Sequence, residues 1–169
     1  MKRIQIENVI ELWRECKENA LMWDANNIRN SLDIKFAKKN FIKKLKKLNF
    51  KIIGDGTFKL VLSKKSIDFV VKIYHNGSVD DKINEDCKFK KYFIEPIYSD
   101  GAISIQVKAK RNATTKAYKF FEKMFGKNYC EVFDIHPENV GWLNSKPVIF
   151  DFLSAWFECN NDYAKVEQE

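Results

Sequence analysis

The chain has 169 residues, of which 45% are hydrophobic and 31% are charged, with only 6 glycines and 3 prolines. This composition is typical of a folded globular protein and excludes a disordered tail or a fibrous repeat. The formal net charge is +7, which attracts nucleic acids, acidic proteins and small anions. Most of the basic residues are lysine, whereas bidentate reading of bases and phosphates favours arginine, so the excess argues against sequence-specific recognition of nucleic acid.

Compartment and redox state are predicted from what the sequence lacks. No apolar run approaches the roughly 20 residues of a membrane helix, and the first residues lack the apolar core of a secretory signal. We therefore expect a cytoplasmic protein, or one in a host cytosol if it is a delivered effector. Because the cysteines are widely spaced, we expect reduced, partly buried thiols rather than a zinc site. They are Cys16, Cys87, Cys130 and Cys159.

Helical periodicity at the start of the chain predicts two helices, over 4–23 and 31–48, as an N-terminal extension covering 1–48. The second helix has one apolar and one lysine-rich side. We interpret the lysines as a solvated face; contact with an acidic partner or a membrane surface is the alternative. The apolar stripe is Ile34, Ala37, Phe41, Leu45 and Leu48, and the basic side is Lys35, Lys38, Lys39, Lys43, Lys44, Lys46 and Lys47.

Beyond residue 49 the apolar pattern changes to short β-rich runs, which predict an α+β fold with an antiparallel five-stranded sheet. A helix is expected over Thr115–Phe125, ended by Gly126 in a left-handed conformation. The five strands are expected at 50–53, 59–62, 69–74, 92–98 and 102–109, a weak charged helix at 79–91, and brief later strands at 132–133, 141–143 and 148–150.

A pair of glycines, Gly54 and Gly56, lies between the first two predicted strands. A backbone without side chains can approach phosphate oxygens closely and offer them N–H groups. An ordinary tight turn explains the same residues. No Gly-Lys-Ser/Thr follows, so the segment is not a Walker loop.

Lys72 lies inside the apolar run 69–73. A lysine buried in a strand is costly without an anionic partner, so it predicts a carboxylate or phosphate nearby. Glu85 on the following helix is a suitable counter-charge, with Asp81 and Asp86 as competitors. A lysine reaching solvent from a sheet edge is the alternative interpretation.

Polar residues adjoin the last short strands, at Asp134, Asn139 and Asp151. Asn139 and Asp151, placed across a hairpin, can share one Mg²⁺ through oxygen ligands. Asp134 would then lie beside them as a proton acceptor. Ordinary turn residues are the alternative.

The order of these motifs resembles that of the protein-kinase-like superfamily, in a reduced form similar to compact kinases of bacterial effectors and phages. The resemblance covers about residues 50–153. It implies a kinase-like N-lobe over 49–112 and a reduced C-lobe over 113–169. Its segments are Gly54-x-Gly56-x-Phe58-x-x-Val61 for the glycine-rich loop, Val70-Val71-Lys72 for the lysine strand, Asp134-Ile135-His136-Pro137-Glu138-Asn139 for the catalytic loop and Phe150-Asp151-Phe152-Leu153 for the metal-binding motif.

The resemblance implies ATP and Mg²⁺ as ligands and assigns a role to each matched residue. Lys72 grips the α- and β-phosphates and pairs with Glu85. Asn139 and Asp151 bind Mg²⁺, and Asp134 orients and deprotonates the acceptor hydroxyl. The implied nucleotide-binding residues are Gly54, Gly56, Phe58, Val61, Lys72, Glu85 and His136.

Five residues of this chain differ from the pattern of the kinase family. Lys59 replaces the third glycine, Val132-Phe133 replace the usual His-Arg, and Leu153 replaces the glycine of D-F-G. His136 replaces a lysine, as in aminoglycoside- and choline-type kinases. Because 18 residues follow Asp151, we expect neither a normal activation segment nor the helical lobe that docks peptides.

The leading hypothesis is a minimal Mg-ATP-dependent protein kinase that phosphorylates Ser/Thr, including its own. A kinase-like pseudoenzyme that binds an acidic host or regulatory protein is the second hypothesis. The third hypothesis is a small-molecule phosphotransferase, suggested by His136. The fourth is a nucleic-acid-binding protein, suggested by the lysine-rich helix.

Overall fold

The computed structural model describes residues 5–24, 30–75 and 89–151. Glu85, Asp81, Asp86 and most of the helix predicted over 79–91 lie outside these residues, as does Leu153. The chain divides into two compact units, Met1–Ser78 with Ile97–Gln106, and Val79–Pro96 with Val107–Glu169.

The described elements are four α-helices, one 3₁₀ turn and seven strands. The helices are α1 (Ile6–Asp24), α2 (Asn30–Lys47), α3 (Thr114–Phe125) and α4 (Lys127–Val132), and the 3₁₀ turn is Lys90–Tyr92. The strands are β1 (Lys51–Asp55), β2 (Lys59–Ser63), β3 (Phe69–Tyr74), β4 (Pro96–Ser99), β5 (Ile103–Val107), β6 (Val140–Leu143) and β7 (Lys146–Ile149).

The first unit holds an antiparallel five-stranded sheet in the order β1-β2-β3-β5-β4, together with α1 and α2. The predicted α+β class, the sheet and both N-terminal helices are confirmed. β4 begins later than predicted, because Lys90–Tyr92 form a 3₁₀ turn.

Both N-terminal helices pack on one face of the sheet. The rings of Trp13 from α1 and Phe41 from α2 lie 5.2 Å apart between centroids, and both side chains are fully buried. Burial of such apolar faces stabilises helices of this length more than intrinsic propensity does. The shared core comprises Val9, Trp13, Cys16 and Ala20 of α1, Ala37, Phe41 and Leu45 of α2, and Leu60, Leu62, Phe69, Val71, Ile73, Ile103 and Ile105 of the sheet.

The second unit contains α3, α4 and the β6–β7 hairpin around an aromatic core. Gly126 ends α3 as predicted, and its N–H donates to the Glu122 carbonyl at 2.9 Å. Its φ of 84° with ψ of 154° is not the left-handed conformation that we expected; it is an extended conformation open mainly to glycine. Within the described residues, none of the helices has the length and apolar character needed to cross a membrane.

The strand predicted at Val132–Phe133 is wrong, because Val132 is the last residue of α4 and Phe133 caps it. Tyr129 of α4 stacks on Phe125 of α3 at a centroid separation of 5.3 Å, and the ring of Phe133, four residues after Tyr129, lies tilted against the Tyr129 ring at 4.3 Å. This i, i+4 contact favours a helix over a strand.

Candidate active site

Three of the predicted nucleotide-binding residues lie in one row across the sheet. Gly54 pairs with Val61, and Val61 pairs with Lys72. Leu62 and Val71 on the same strands point into the core, so their neighbours Val61 and Lys72 lie on the opposite face. The sheet register therefore aligns Gly54, Val61 and Lys72 on the face away from α1 and α2.

Lys72 is 3% exposed and belongs to β3, the central strand of the sheet. This position does not fit a lysine that reaches solvent from a sheet edge. The same face carries other buried polar side chains: the Tyr74 and Ser104 hydroxyls are 3.0 Å apart, and Gln106 is buried. A buried ammonium group is retained where acceptors or an anion compensate its lost hydration. This environment suits a phosphate-binding cation.

The turn between β1 and β2 does not need glycine for its backbone. Gly54 and Gly56 both lie outside the positive-φ region. A Cβ on Gly56 would have only the Lys59 carbonyl within 4 Å, at 3.9 Å, and one on Gly54 would make ordinary contact with Val61 at 3.6 Å. A strained tight turn therefore does not explain these glycines, and the turn is held by the Gly56 N–H, which donates to the Lys59 carbonyl at 3.1 Å.

Phe58, at the tip of this turn, is 65% exposed, more than any other large hydrophobic side chain among the described residues. Its carbonyl accepts the His75 N–H at 2.8 Å, which fixes the backbone while the ring stays in solvent. Lys59, which departs from the family pattern, places its ammonium 5.9 Å from the Tyr74 ring centroid. An exposed aromatic ring at a turn tip can cover a planar ligand.

In the second unit, Asn139 organises the loop that contains Asp134. The Asn139 side chain Nδ2 donates to the Asp134 carbonyl at 2.8 Å and to its Oδ2 at 2.9 Å. Asn139 is only 8% exposed, whereas Asp134 is exposed and has a φ of 57°. A non-glycine residue in this region is uncommon and is maintained by surrounding contacts. The two hydrogen bonds hold the Asp134 carboxylate in one position facing solvent.

His136 completes the loop from the other side. Its Nδ1 accepts the Glu138 N–H at 3.3 Å, and its Nε2 lies 3.2 Å from Asp134 Oδ1 and 2.9 Å from Asn139 Nδ2. With the proton on Nε2, Nδ1 accepts from Glu138 and Nε2 donates to Asp134 Oδ1, while the 2.9 Å approach of Nε2 to Asn139 Nδ2 is a contact between two donors and not a hydrogen bond. Both carboxylate oxygens of Asp134 then accept a hydrogen bond.

Asp151 is brought to this loop by the backbone. The Asn139 carbonyl accepts the N–H of Phe150 at 3.0 Å and that of Asp151 at 3.4 Å. These backbone hydrogen bonds place Asn139 next to Asp151 at the base of the β6–β7 hairpin. Their amide oxygen and carboxylate are ligands that suit Mg²⁺, which commonly takes one or two protein oxygens and completes its shell with water and phosphate. Among the described residues no group of three or more His, Cys, Asp and Glu could hold a metal ion.

Two residues that support this loop were not predicted from the sequence. The Arg111 guanidinium lies 5.8 Å from the Phe150 ring centroid, and its Nη2 donates to the Glu138 carbonyl at 3.4 Å. Gly141 is required by close packing, since a Cβ there would lie 2.6 Å from the Lys110 carbonyl oxygen. Both contacts join segments about 30 residues apart in the sequence, so no local sequence pattern predicts them.

Cys130 lies beneath the loop, where its carbonyl accepts the Ile135 N–H at 2.8 Å. Burial, reinforced by the charges of Glu122 and Glu131, raises the pKa of the Cys130 thiol to about 12. Since the thiolate is the nucleophile, this cysteine does not contribute a nucleophile to the site.

The predicted site residues therefore form two local groups, each within its own unit. Gly54, Val61 and Lys72 share a sheet face, next to the turn of Gly56 and Phe58. Asp134, His136, Asn139 and Asp151 share a hydrogen-bonded loop. No protein-family model, curated protein or solved structure significantly matches the chain.

Proposed function

We propose that the chain is a minimal Mg-ATP-dependent protein kinase with a kinase-like fold, and that it phosphorylates Ser/Thr residues, including its own. The observation that carries this proposal is the hydrogen-bonded loop in which Asn139 holds Asp134 through its side chain and Asp151 through its carbonyl. A proton acceptor and two oxygen ligands for a cation thus occupy one short segment. This combination suits phosphoryl transfer, which depends mainly on positioning and charge stabilisation.

Asp134 is the proposed base. It orients the acceptor hydroxyl and takes its proton as the hydroxyl oxygen bonds to the γ-phosphorus. The bond between the γ-phosphorus and the bridging oxygen breaks, and ADP leaves. The exposure of Asp134 and its fixed backbone suit this role, because a base must meet a substrate hydroxyl within hydrogen-bonding distance.

Lys72 is the proposed phosphate-binding cation. Its burial on a sheet face lined by polar side chains favours a charged partner, and Gly54 and Val61 lie beside it in the same row. Asn139 and Asp151 are the proposed Mg²⁺ ligands. When bound, Mg²⁺ neutralises charge on the phosphates and MgATP supplies the phosphoryl group.

A transfer assay with γ-labelled ATP and Mg²⁺ tests the proposal, with and without a generic protein substrate. Asp134→Asn removes the proton acceptor but retains the side-chain size, so label on protein should fall by a hundredfold or more while nucleotide binding persists. Lys72→Met retains the buried stem and should weaken nucleotide binding, whereas Lys51→Met on the exposed part of β1 should not. Unchanged transfer by Asp134→Asn would overturn the assignment of the base.

A kinase-like pseudoenzyme that binds an acidic protein is the second candidate. Both carboxylate oxygens of Asp134 already have close neighbours, Nδ2 of Asn139 at 2.9 Å and Nε2 of His136 at 3.2 Å, which occupy positions that a substrate hydroxyl would need. Nucleotide binding without any transfer, in the presence of a host extract, is the result that would favour this candidate over the kinase.

A further inference from the structure

His136 lies between the proposed base and the backbone that follows it. Its Nε2 is 3.2 Å from Asp134 Oδ1, and its Nδ1 is 3.3 Å from the Glu138 backbone nitrogen. The imidazole is 42% exposed, so polar contacts more than burial fix the orientation of the ring. The family resemblance implies that His136 binds the nucleotide, but both ring nitrogens are directed to groups of the loop itself.

The contacts of the ring favour one neutral tautomer. With the proton on Nε2, the single unfavourable contact is the 2.9 Å approach to Asn139 Nδ2, which is also a donor. With the proton on Nδ1, the Asn139 contact becomes a hydrogen bond, but two other contacts become unfavourable. The Nδ1 hydrogen then faces the Glu138 N–H, and the Nε2 lone pair faces the Asp134 carboxylate. The Nε2-protonated ring therefore fits the loop better.

A continuous series of contacts leads from Arg111 to the base. The Arg111 Nη2 donates to the Glu138 carbonyl at 3.4 Å, and the Glu138 N–H donates to His136 Nδ1. The His136 Nε2–H in turn donates to Asp134 Oδ1. Asn139 Nδ2 holds the other carboxylate oxygen, Oδ2, at 2.9 Å. Each oxygen of the carboxylate thus contacts a different side chain, and the two contacts together fix the plane of the carboxylate.

We propose that His136 is a positioning residue for Asp134 and not a ligand of the nucleotide. Its Nε2–H fixes the carboxylate in the orientation in which Oδ1 takes the proton of the substrate hydroxyl. An ionised carboxylate oxygen has two lone pairs, so Oδ1 can accept from His136 and still receive the hydroxyl. Since Nε2 donates to Asp134 and Nδ1 accepts from Glu138, neither ring nitrogen is left for a phosphate. This role rests on the proposed function, because positioning a base matters only where a proton is transferred.

Two substitutions of His136 separate the hydrogen bond from the bulk of the ring. His136→Gln retains a side-chain N–H at about the reach of Nε2, so it can still donate to Asp134. His136→Leu keeps an apolar side chain but removes both polar contacts. For each protein, transfer of the γ-phosphoryl group is measured at varied ATP concentration. ATP affinity is measured separately by calorimetry, and guanidinium unfolding gives the stability.

We expect His136→Leu to lower kcat about tenfold, the factor that a hydrogen bond to a charged group contributes, and to change KM for ATP by less than about twofold. His136→Gln should recover most of kcat. A merely structural role would lower the stability of His136→Leu without this division between kcat and KM. A nucleotide contact would instead raise KM and the dissociation constant of ATP.

Nitrogen-15 NMR of the full chain tests the hydrogen bond without any transfer. The chain contains two histidines, and His75→Gln leaves His136 as the single source of imidazole signals. Protonated and unprotonated ring nitrogens resonate in separate ranges, so a spectrum at about pH 8, where an unperturbed imidazole is neutral, reports the tautomer. We expect the proton on Nε2, and a shift of the Nε2 resonance in Asp134→Asn, because the acceptor loses its charge.

Three results would overturn the proposal: a proton on Nδ1, an ATP affinity that falls in His136→Leu, or a kcat that is unchanged or higher in that variant. A higher kcat would show that the imidazole blocks the base instead of holding it. Loss of transfer in every protein, the wild type included, would contradict the proposed kinase and with it the catalytic purpose of the contact. The NMR spectrum would then still decide whether His136 holds the Asp134 carboxylate, so the two failures are distinguishable.

Discussion

Asp100, in the turn between β4 and β5, connects this turn to α1, and its removal should destabilise the first unit. Its Oδ2 accepts the Trp13 indole N–H at 2.7 Å and the Lys17 ammonium at 2.8 Å, and its Oδ1 accepts two backbone N–H groups of the turn. Trp13 is fully buried, so its N–H would lose a charged acceptor with little water to replace it.

We expect Asp100→Ala to lower the free energy of unfolding by about 2–4 kcal/mol. The hydrogen bond from Trp13 to a carboxylate contributes about 1.5–3 kcal/mol. The partly exposed ion pair with Lys17 adds about 0.2–1 kcal/mol. Asp68→Ala, at an exposed position before β3, is the matched control and should stay within about 0.5 kcal/mol of the wild type.

The same cluster predicts a pH dependence. Burial raises the pKa of Asp100, but the hydrogen bonds from Lys17, Trp13 and the backbone outweigh it, so the pKa lies below its ordinary value. A depressed folded-state pKa gives stability that is complete above the unfolded pKa of about 3.9 and is lost as the pH falls through the folded value. The difference between wild type and Asp100→Ala should therefore be constant near neutral pH and shrink below about pH 4.

Guanidinium unfolding followed by far-ultraviolet circular dichroism measures these free energies, and the indole N–H resonance of Trp13 reports the hydrogen bond directly. Two results would refute this reasoning. One is an effect of Asp100→Ala no larger than that of Asp68→Ala. The other is a difference from wild type that stays the same at about pH 3 as at about pH 6.

Three further predictions concern the second unit and the glycine turn. Gly141→Ala should lower the free energy of unfolding by about 1–3 kcal/mol, because its Cβ would clash with the Lys110 carbonyl. Gly56→Ala should leave this free energy unchanged but weaken ATP binding, which calorimetry measures. Equal stability of the two variants would contradict the packing argument. Asn139→Ala removes a proposed Mg²⁺ ligand and the bonds that hold Asp134, so it should reduce Mg²⁺-dependent transfer more than tenfold, and full activity would exclude both roles. The raised pKa of Cys130 predicts that it resists iodoacetamide in the native protein and reacts after unfolding, which mass spectrometry can follow; rapid native labelling would contradict its burial.

Periodicity sufficed to predict the elements whose residues contact near neighbours. The stripe Ala37, Phe41 and Leu45 predicted α2 almost to its ends, and the short β-rich runs predicted the five-stranded sheet. It failed at Val132–Phe133, because the i, i+4 contact between Tyr129 and Phe133 is not visible in a pair of residues taken alone. Short apolar runs do not distinguish a strand from the end of a helix.

The candidate site was predictable only where its residues are close in sequence or joined by a hairpin. The segment from Asp134 to Asn139 is local, and the β6–β7 hairpin explains why Asp151 returns to Asn139. The row of Gly54, Val61 and Lys72 depends on strand register and on a bulge between Ile52 and Gly54, which the sequence alone does not define.

Arg111 illustrates what lies beyond local patterns. Its contacts with the Phe150 ring and the Glu138 carbonyl depend on how distant segments pack, and the residue itself stands in an unremarkable polar stretch. Position 141 is a second example. It requires glycine because the Lys110 carbonyl lies too close for a Cβ, and not because the chain turns there.

The most direct test of the central claim compares Asp134→Asn with Glu138→Gln in transfer of the γ-phosphoryl group of ATP to protein. Both variants replace one exposed carboxylate by an amide in the same loop, but the structure assigns the Glu138 backbone, not its side chain, to the hydrogen bonds there. The account predicts label with the wild type and Glu138→Gln and almost none with Asp134→Asn. Equal labelling by all three proteins, or none by any of them, would contradict it.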